Sequence, residues 1–208
     1  MPKRNAIKEY GEDEYYQVYN RGVAKMEIFR DIADYEYMLS LFKKYLSSKT
    51  EYDKQGRLIP NYREDVDLVA YCLMGNHFHM LIYLKDVDGL HSFMRSVLTS
   101  YSMYFNRKYR RVGGLFESRF LASRVTNEAY LWHVSRYIHL NPLDIGKSHA
   151  TYPFSSVRYF AGEAVAEWIH PEVLVETAAE RSAYMRSLRD NIDYHKLYHR
   201  LRSELANA

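Results

Sequence analysis

Two histidines, His77 and His79, stand one residue apart inside the apolar run GNHFHMLIYL. Burying an imidazole among Leu, Met, Ile and Phe carries a desolvation cost, and here it is incurred twice. Alternate side chains of a strand point to the same side, so the two rings project together while Phe78 packs behind them. Two neutral imidazoles so placed offer two ligands to a divalent cation. The same pair at a sheet edge could instead hydrogen-bond locally, and His-x-His alone is a weak motif. Further along, YLWHVSRYIHLNP sets His133, Tyr137 and Asn141 on one side of a helix, because residues four apart share a face. An amide oxygen at Asn141 can complete a facial ligand set with the two imidazoles and leave positions open for water and substrate oxygens. A Tyr137 hydroxyl one turn away then suits attack on a phosphoryl group made electrophilic by a Lewis acid. The chain holds 21 tyrosines, and Tyr130 shares the same face, so spacing alone leaves Tyr130 as a second candidate. His133 is an accessory candidate that contacts phosphate or assists proton transfer; the competing reading is a surface histidine.

The elements that must position these groups follow from periodicity. EYYQVYNRG, 14–22, is rich in Tyr and Val and ends in a turn, which predicts a strand. Helical periodicity follows Asp31, a predicted N-cap. Two strand-like runs, LVAYCLM and HFHMLIYL, flank Gly75-Asn76 and predict a hairpin. A helix over DGLHSFMRSVLTSYSMYFNRKY, a glycine turn and a short strand come next. A last helix is capped by Asn127 and halted by Pro142, which disfavours helical geometry at Asn141. The order β-α-β-β-α-β with one extra helix predicts an α+β, ferredoxin-like (RRM-like) antiparallel sheet with helices on one face. Residues 1–145 form the expected domain, and 146–208 a carboxy-terminal helical extension packed on it.

Composition bounds the rest. At 208 residues the chain can bury one domain. The longest apolar run is interrupted at Gly75-Asn76-His77 and predicts no membrane span. A single cysteine, Cys72, rules out an internal disulfide and a thiolate cluster; with no apolar leader it fits a reducing cytoplasm. The net charge of +3 is unevenly placed: Arg107, Lys108, Arg110, Arg111, Arg119 and Arg124 stand against Glu117 alone between Tyr101 and Arg124. Tyr101, Tyr104, Phe105, Tyr109, Phe116 and Phe120 interleave with them. Cations among aromatics suit a groove that follows phosphates and stacks bases; a solvated helix end with inward aromatics is the plainer reading.

GNHFHMLI, YFNRKYRRVGGLFESRF and RYIHLNPLDIG, in that order and spacing, resemble the single-tyrosine HUH transposases, and among them the REP-associated tyrosine transposases and related insertion-sequence transposases. YYQVYNRGVAKMEIF and YPFSSVRYFAG extend the resemblance to roughly 14–160. It implies a 5′-phosphotyrosine intermediate at Tyr137, metal ligands at His77, His79 and Asn141, Mg²⁺ or Mn²⁺ as the ion, and single-stranded or hairpin DNA as partner. Imidazole ligands would also accept Zn²⁺ or Ni²⁺. Under this reading Arg107, Lys108, Arg110, Arg111 and Arg119 hold the DNA backbone, and Asn20 and Arg21 contact a short recognition sequence. A free tyrosine is ionised to only about one part in a thousand at neutral pH, so the scissile phosphate has to be activated. The smallest relatives exchange the tyrosine helix between subunits; the extension here favours a monomer over such a homodimer. The alternatives are a replication-initiation or relaxase-type nickase, and a domesticated binding protein of the same fold without catalysis.

Overall fold

A computed structural model describes residues 10–195 and residue 197. Strands β1 (Glu14–Arg21), β2 (Val66–Met74), β3 (His77–Leu84) and β4 (Leu121–Val125) form one antiparallel sheet of order β2-β3-β1-β4. Helices α1 (Ile32–Tyr45) and α2 (Gly89–Lys108) connect them in the ferredoxin-like order, and α3 (Glu128–Leu140), α4 (Val157–Phe160) and α5 (Ala178–Asp190) follow. Among the described residues, no helix is long and apolar enough to cross a membrane.

The local signals act as the sequence predicts. Met74 pairs with His77 across a two-residue turn, and the carbonyl of Gly75 in that turn accepts from the N–H groups of Ile28 and Phe29 (2.8 and 2.9 Å). Asp31 caps α1 in a reciprocal box with Asp34, and Asn127 caps α3 by accepting from the N–H of Tyr130 at 2.8 Å.

The period-two alternation of the strands divides the core in two. Tyr16, Val18, Phe78, Met80 and Ile82 face α1 and α2, the side on which the sequence places its helices. The opposite face carries Val69, Ala70, Cys72 and Leu81, and α3, α4 and α5 cover it with Leu131, Val134, Ile138, Phe160, Tyr184 and Leu188. Helices therefore lie on both faces, since the extra helix and the extension each have an apolar stripe to bury. The extension also covers the β2 edge: Leu73 N–H donates to Phe154 O and Ser156 N–H to Tyr71 O, both at 2.9 Å, which leaves that edge no template for pairing with another chain.

A buried polar network bolts α3 to this assembly. His139 is fully buried. Its Nε2 is hydrogen-bonded to Ser156 Oγ at 2.7 Å, and its Nδ1 to the Tyr184 hydroxyl at 2.7 Å. Ser156 Oγ in turn bonds the backbone N–H and C=O of Tyr71 in β2 (2.8 and 3.1 Å). One imidazole thus ties α3, the α4 approach, α5 and the sheet. Burial, with a smaller contribution from His149, pushes its pKa down to about 3.

The unfolded chain binds a proton at His139 near pH 6.5 and the folded chain does not, so stability is full above that pH and falls as the pH drops toward 3. This one group should remove about 1.4 kcal/mol per pH unit below pH ~6.5. His139→Leu is expected to cost about 1–3 kcal/mol at pH 7 and to flatten that slope. Urea unfolding at pH 7 and pH 5 reads both; an equal slope in the variant would assign the acid sensitivity to another group.

Candidate active site

A cleft of about 940 Å³ opens where the ends of β1 and β3 meet α3. His77 and His79 enter it from β3, with ring centroids 5.1 Å apart. Tyr19 of β1 lies beside His79 at 5.8 Å, and Arg21, exposed at the end of β1, stands opposite His77 in the strand register. From α3 the Tyr137 ring meets the His79 ring edge to face, 5.4 Å between centroids.

Backbone chemistry around the helix end aims the amide. The expected loss of helical geometry at Asn141 does not occur: its φ and ψ are −49° and −35°, and a 3₁₀ turn, Asn141–Ile145, continues the axis. Pro142 cannot donate to the Ile138 carbonyl, and Asn141 supplies donors in its place. Asn141 Nδ2 donates to Tyr137 O at 2.7 Å and to Ile138 O at 3.4 Å, which makes proline tolerable there. That use of Nδ2 fixes which end of the amide faces the cleft. Asn141 is 1% exposed, and its Oδ1 has no hydrogen-bond partner among the described residues. An orphaned carbonyl-type oxygen in a buried site costs about 1–3 kcal/mol, a cost that a bound cation would remove. His77 Nδ1 lies 2.7 Å from Asn76 Oδ1; in the tautomer that donates there, Nδ1 carries the hydrogen and Nε2 the lone pair.

The other sequence candidates are distributed unevenly. His133 lines the cleft and stacks with Tyr130 at 6.1 Å and 14°; partial desolvation, and then the Arg136 guanidinium, lower its pKa. Asn20 also reaches the cleft wall, but its side chain is committed internally. Its Nδ2 donates to the carbonyls of Ser118 and Arg119 (2.9 and 3.0 Å), and its Oδ1 accepts from Arg21 N–H. It shapes the loop before β4 and is not a surface contact. The 107–111 basic run sits at the far end of α2, outside the cleft lining. Lys108 is spoken for: its Nζ bonds Asp31 and the buried Asp34 at 2.6–2.8 Å, so it staples α2 to the N-terminus of α1. Desolvation alone would raise the Asp34 pKa, and Lys108, the Arg30 N–H and the Tyr109 hydroxyl together lower it. Arg111 bonds Asn106 at 3.3 Å, whereas Arg107, Arg110 and Arg119 are exposed. Arg136, Lys25, Asp144 and His195, which no local spacing singles out, complete the cleft.

A family model described as IS200-like transposase matches residues 43–141. The resemblance is to the IS200-like transposases. The matched stretch runs from the last turn of α1 through both histidines and Tyr137 to Asn141. Among solved structures, a REP-associated tyrosine transposase bound to a REP hairpin is similar in fold, with a TM-score of 0.57 and 15% identity over 76% of this chain and 86% of that chain. No curated protein matches. The chain is thus similar in sequence to the IS200-like transposases and in fold to a REP-associated tyrosine transposase.

Lys108→Met leaves the buried Asp34 charge without its main partner. About a quarter of the lysine side chain is exposed, so a loss of about 1–3 kcal/mol is expected, below the range for a fully buried pair. Thermal unfolding should show a fall of roughly 2–12 °C; an unchanged melting temperature would make this staple a passive surface contact.

Proposed function

We propose that this protein nicks and rejoins single-stranded DNA through a covalent phosphotyrosine at Tyr137, acting on DNA with a hairpin. The observation that carries the proposal is the convergence, in one cleft, of the Tyr137 ring on the His79 ring with a buried amide oxygen at Asn141 that has no hydrogen-bond partner among the described residues. The IS200-like match over the same residues supports it, as does the fold shared with a transposase bound to a REP hairpin. Loss of catalysis in a domesticated binder would leave no reason to keep that oxygen buried and unsatisfied.

The donor set fits a small divalent cation. His77 Nε2, the His79 ring and Asn141 Oδ1 would hold Mg²⁺ or Mn²⁺, a mixed nitrogen and oxygen set that leaves room for water and phosphate oxygens. When bound, such an ion supplies Lewis acidity and positive charge to a phosphodiester oxygen. The chain's own residues do the rest. Tyr137 Oη attacks phosphorus, its bond to phosphorus forms as the P–O3′ bond breaks, and the products are a 5′-phosphotyrosine and a free 3′-hydroxyl. The linkage keeps the phosphodiester's energy, so attack by a 3′-hydroxyl reverses the step. Arg21, Lys25 and Arg136 line the cleft as a cationic path for the DNA backbone. Tyr130 and His133 offer a stacked aromatic surface at its mouth for an unpaired base.

The test uses a labelled pool of hairpin oligonucleotides with randomised loops and single-stranded flanks, incubated with protein and Mn²⁺ and resolved under denaturing conditions. A covalent adduct is expected, absent without divalent cation, absent in Tyr137→Phe, and reduced at least 100-fold in His77→Ala and His79→Ala. An adduct that persists in Tyr137→Phe would move the nucleophile, with Tyr130 next on that helix face. Arg21→Ala should weaken binding of the selected oligonucleotide and reduce the slope of log affinity against log salt by about 0.7. An unchanged slope would remove Arg21 from the phosphate path.

A further inference from the structure

His195 and Asp144 stand in the cleft with no part in the chemistry so far described. His195 lies on the helical turn after Asn191, whose carbonyl accepts its N–H at 3.0 Å. Its side chain is buried, 4% exposed, and its ring is 5.8 Å from that of Tyr137, centroid to centroid. Its Nε2 sits 3.1 Å from Asp144 Oδ1. Asp144 belongs to the 3₁₀ turn directly after the tyrosine helix, so the His195 imidazole contacts both the Asp144 carboxylate and the Tyr137 ring.

Attack by a phenol on phosphorus needs somewhere for the phenolic proton to go. His79 also touches Tyr137, but in the proposed function its lone pair belongs to the cation. Arg136 is a cation without a lone pair. Resting on that proposed function, we infer that His195 is a catalytic residue, the proton acceptor for Tyr137, and that Asp144 is a positioning residue that holds its ring. In the tautomer that donates Nε2–H to Asp144, the imidazole lone pair is on Nδ1, the mirror of a Ser-His-Asp relay, in which the carboxylate takes Nδ1–H and Nε2 is the base. In the forward step the Oη–P bond forms, the phenolic proton moves to Nδ1, the P–O3′ bond breaks and O3′ takes a proton from solvent. Rejoining runs the same transfers backwards, with the imidazolium returning its proton to the phenol oxygen.

The experiment measures single-turnover adduct formation on the oligonucleotide selected from the hairpin pool, with Mn²⁺, for the full chain and for Tyr137→Phe, His195→Ala, His195→Gln and Asp144→Asn. His195→Ala and His195→Gln should each slow adduct formation by about 100-fold or more with hairpin affinity unchanged. Added imidazole should restore His195→Ala by at least several-fold and leave Tyr137→Phe inactive. Asp144→Asn should slow the step by about 10-fold, again without loss of affinity. A wild-type rate in both His195 variants overturns the inference. So does a slow His195→Ala that imidazole fails to restore, or one that loses hairpin affinity in proportion, since either marks a packing role. If Tyr137→Phe alone abolishes the adduct, the proposed function stands while the relay falls; if the full chain forms no adduct, both fall.

Discussion

The docking of α3 on the sheet face opposite α1 and α2 is the constraint on which every other feature of the cleft depends. Its apolar stripe, Leu131, Val134 and Ile138, packs on β2 and β3, with each fully buried side chain worth roughly 1.5–3 kcal/mol as an upper bound. Apolar contact sets the depth of a helix but is tolerant of sliding and rotation. His139 removes that freedom, because its two ring nitrogens must meet Ser156 and Tyr184 at the same time. With the helix so fixed, the neighbouring face carrying Tyr137 and Asn141 has one orientation, and it is toward the imidazoles of β3. A polar group that is fully satisfied inside an apolar interface specifies register in this way.

The helix end applies the same logic on a smaller scale. Pro142 deprives Ile138 of its ordinary donor, and Asn141 answers with Nδ2, which leaves Oδ1 facing the cleft. An aspartate could not make that substitution, since it has no N–H to give. The amide supplies a hydrogen-bond donor on one side and turns its oxygen to the other, and the proline fixes which is which.

Much of this was legible in the sequence, for reasons that are local. The His-x-His pair needs only the strand period, and Tyr137 with Asn141 needs only the helical one. The hairpin at Gly75-Asn76 and the caps at Asp31 and Asn127 are written in residues adjacent to the elements they shape. What sequence reasoning missed depends on distant partners. Lys108 looks like one cation in a basic run, and only the fold reveals Asp34 beneath it. Asn20 sits beside an exposed arginine, yet strand alternation turns it inward onto the loop before β4. His139 lies between two residues that face the cleft, Tyr137 and Asn141, and its own role needs Ser156 and Tyr184 from the extension. His195 belongs to a stretch with no spacing relation to the cleft. The extension likewise reads as a weak helical pattern, although it closes one sheet face and one edge.

In the function proposed above, His77, His79 and Asn141 share one cation beside Tyr137. Anomalous diffraction at the manganese edge, from crystals of the protein grown with Mn²⁺ and a bound hairpin, tests it most directly. A single strong peak is expected within coordination distance of the His77 and His79 ring nitrogens and of Asn141 Oδ1, next to the phenol oxygen. A peak held by other side chains, or an Asn141 oxygen turned to a protein donor with the ion elsewhere, would contradict it.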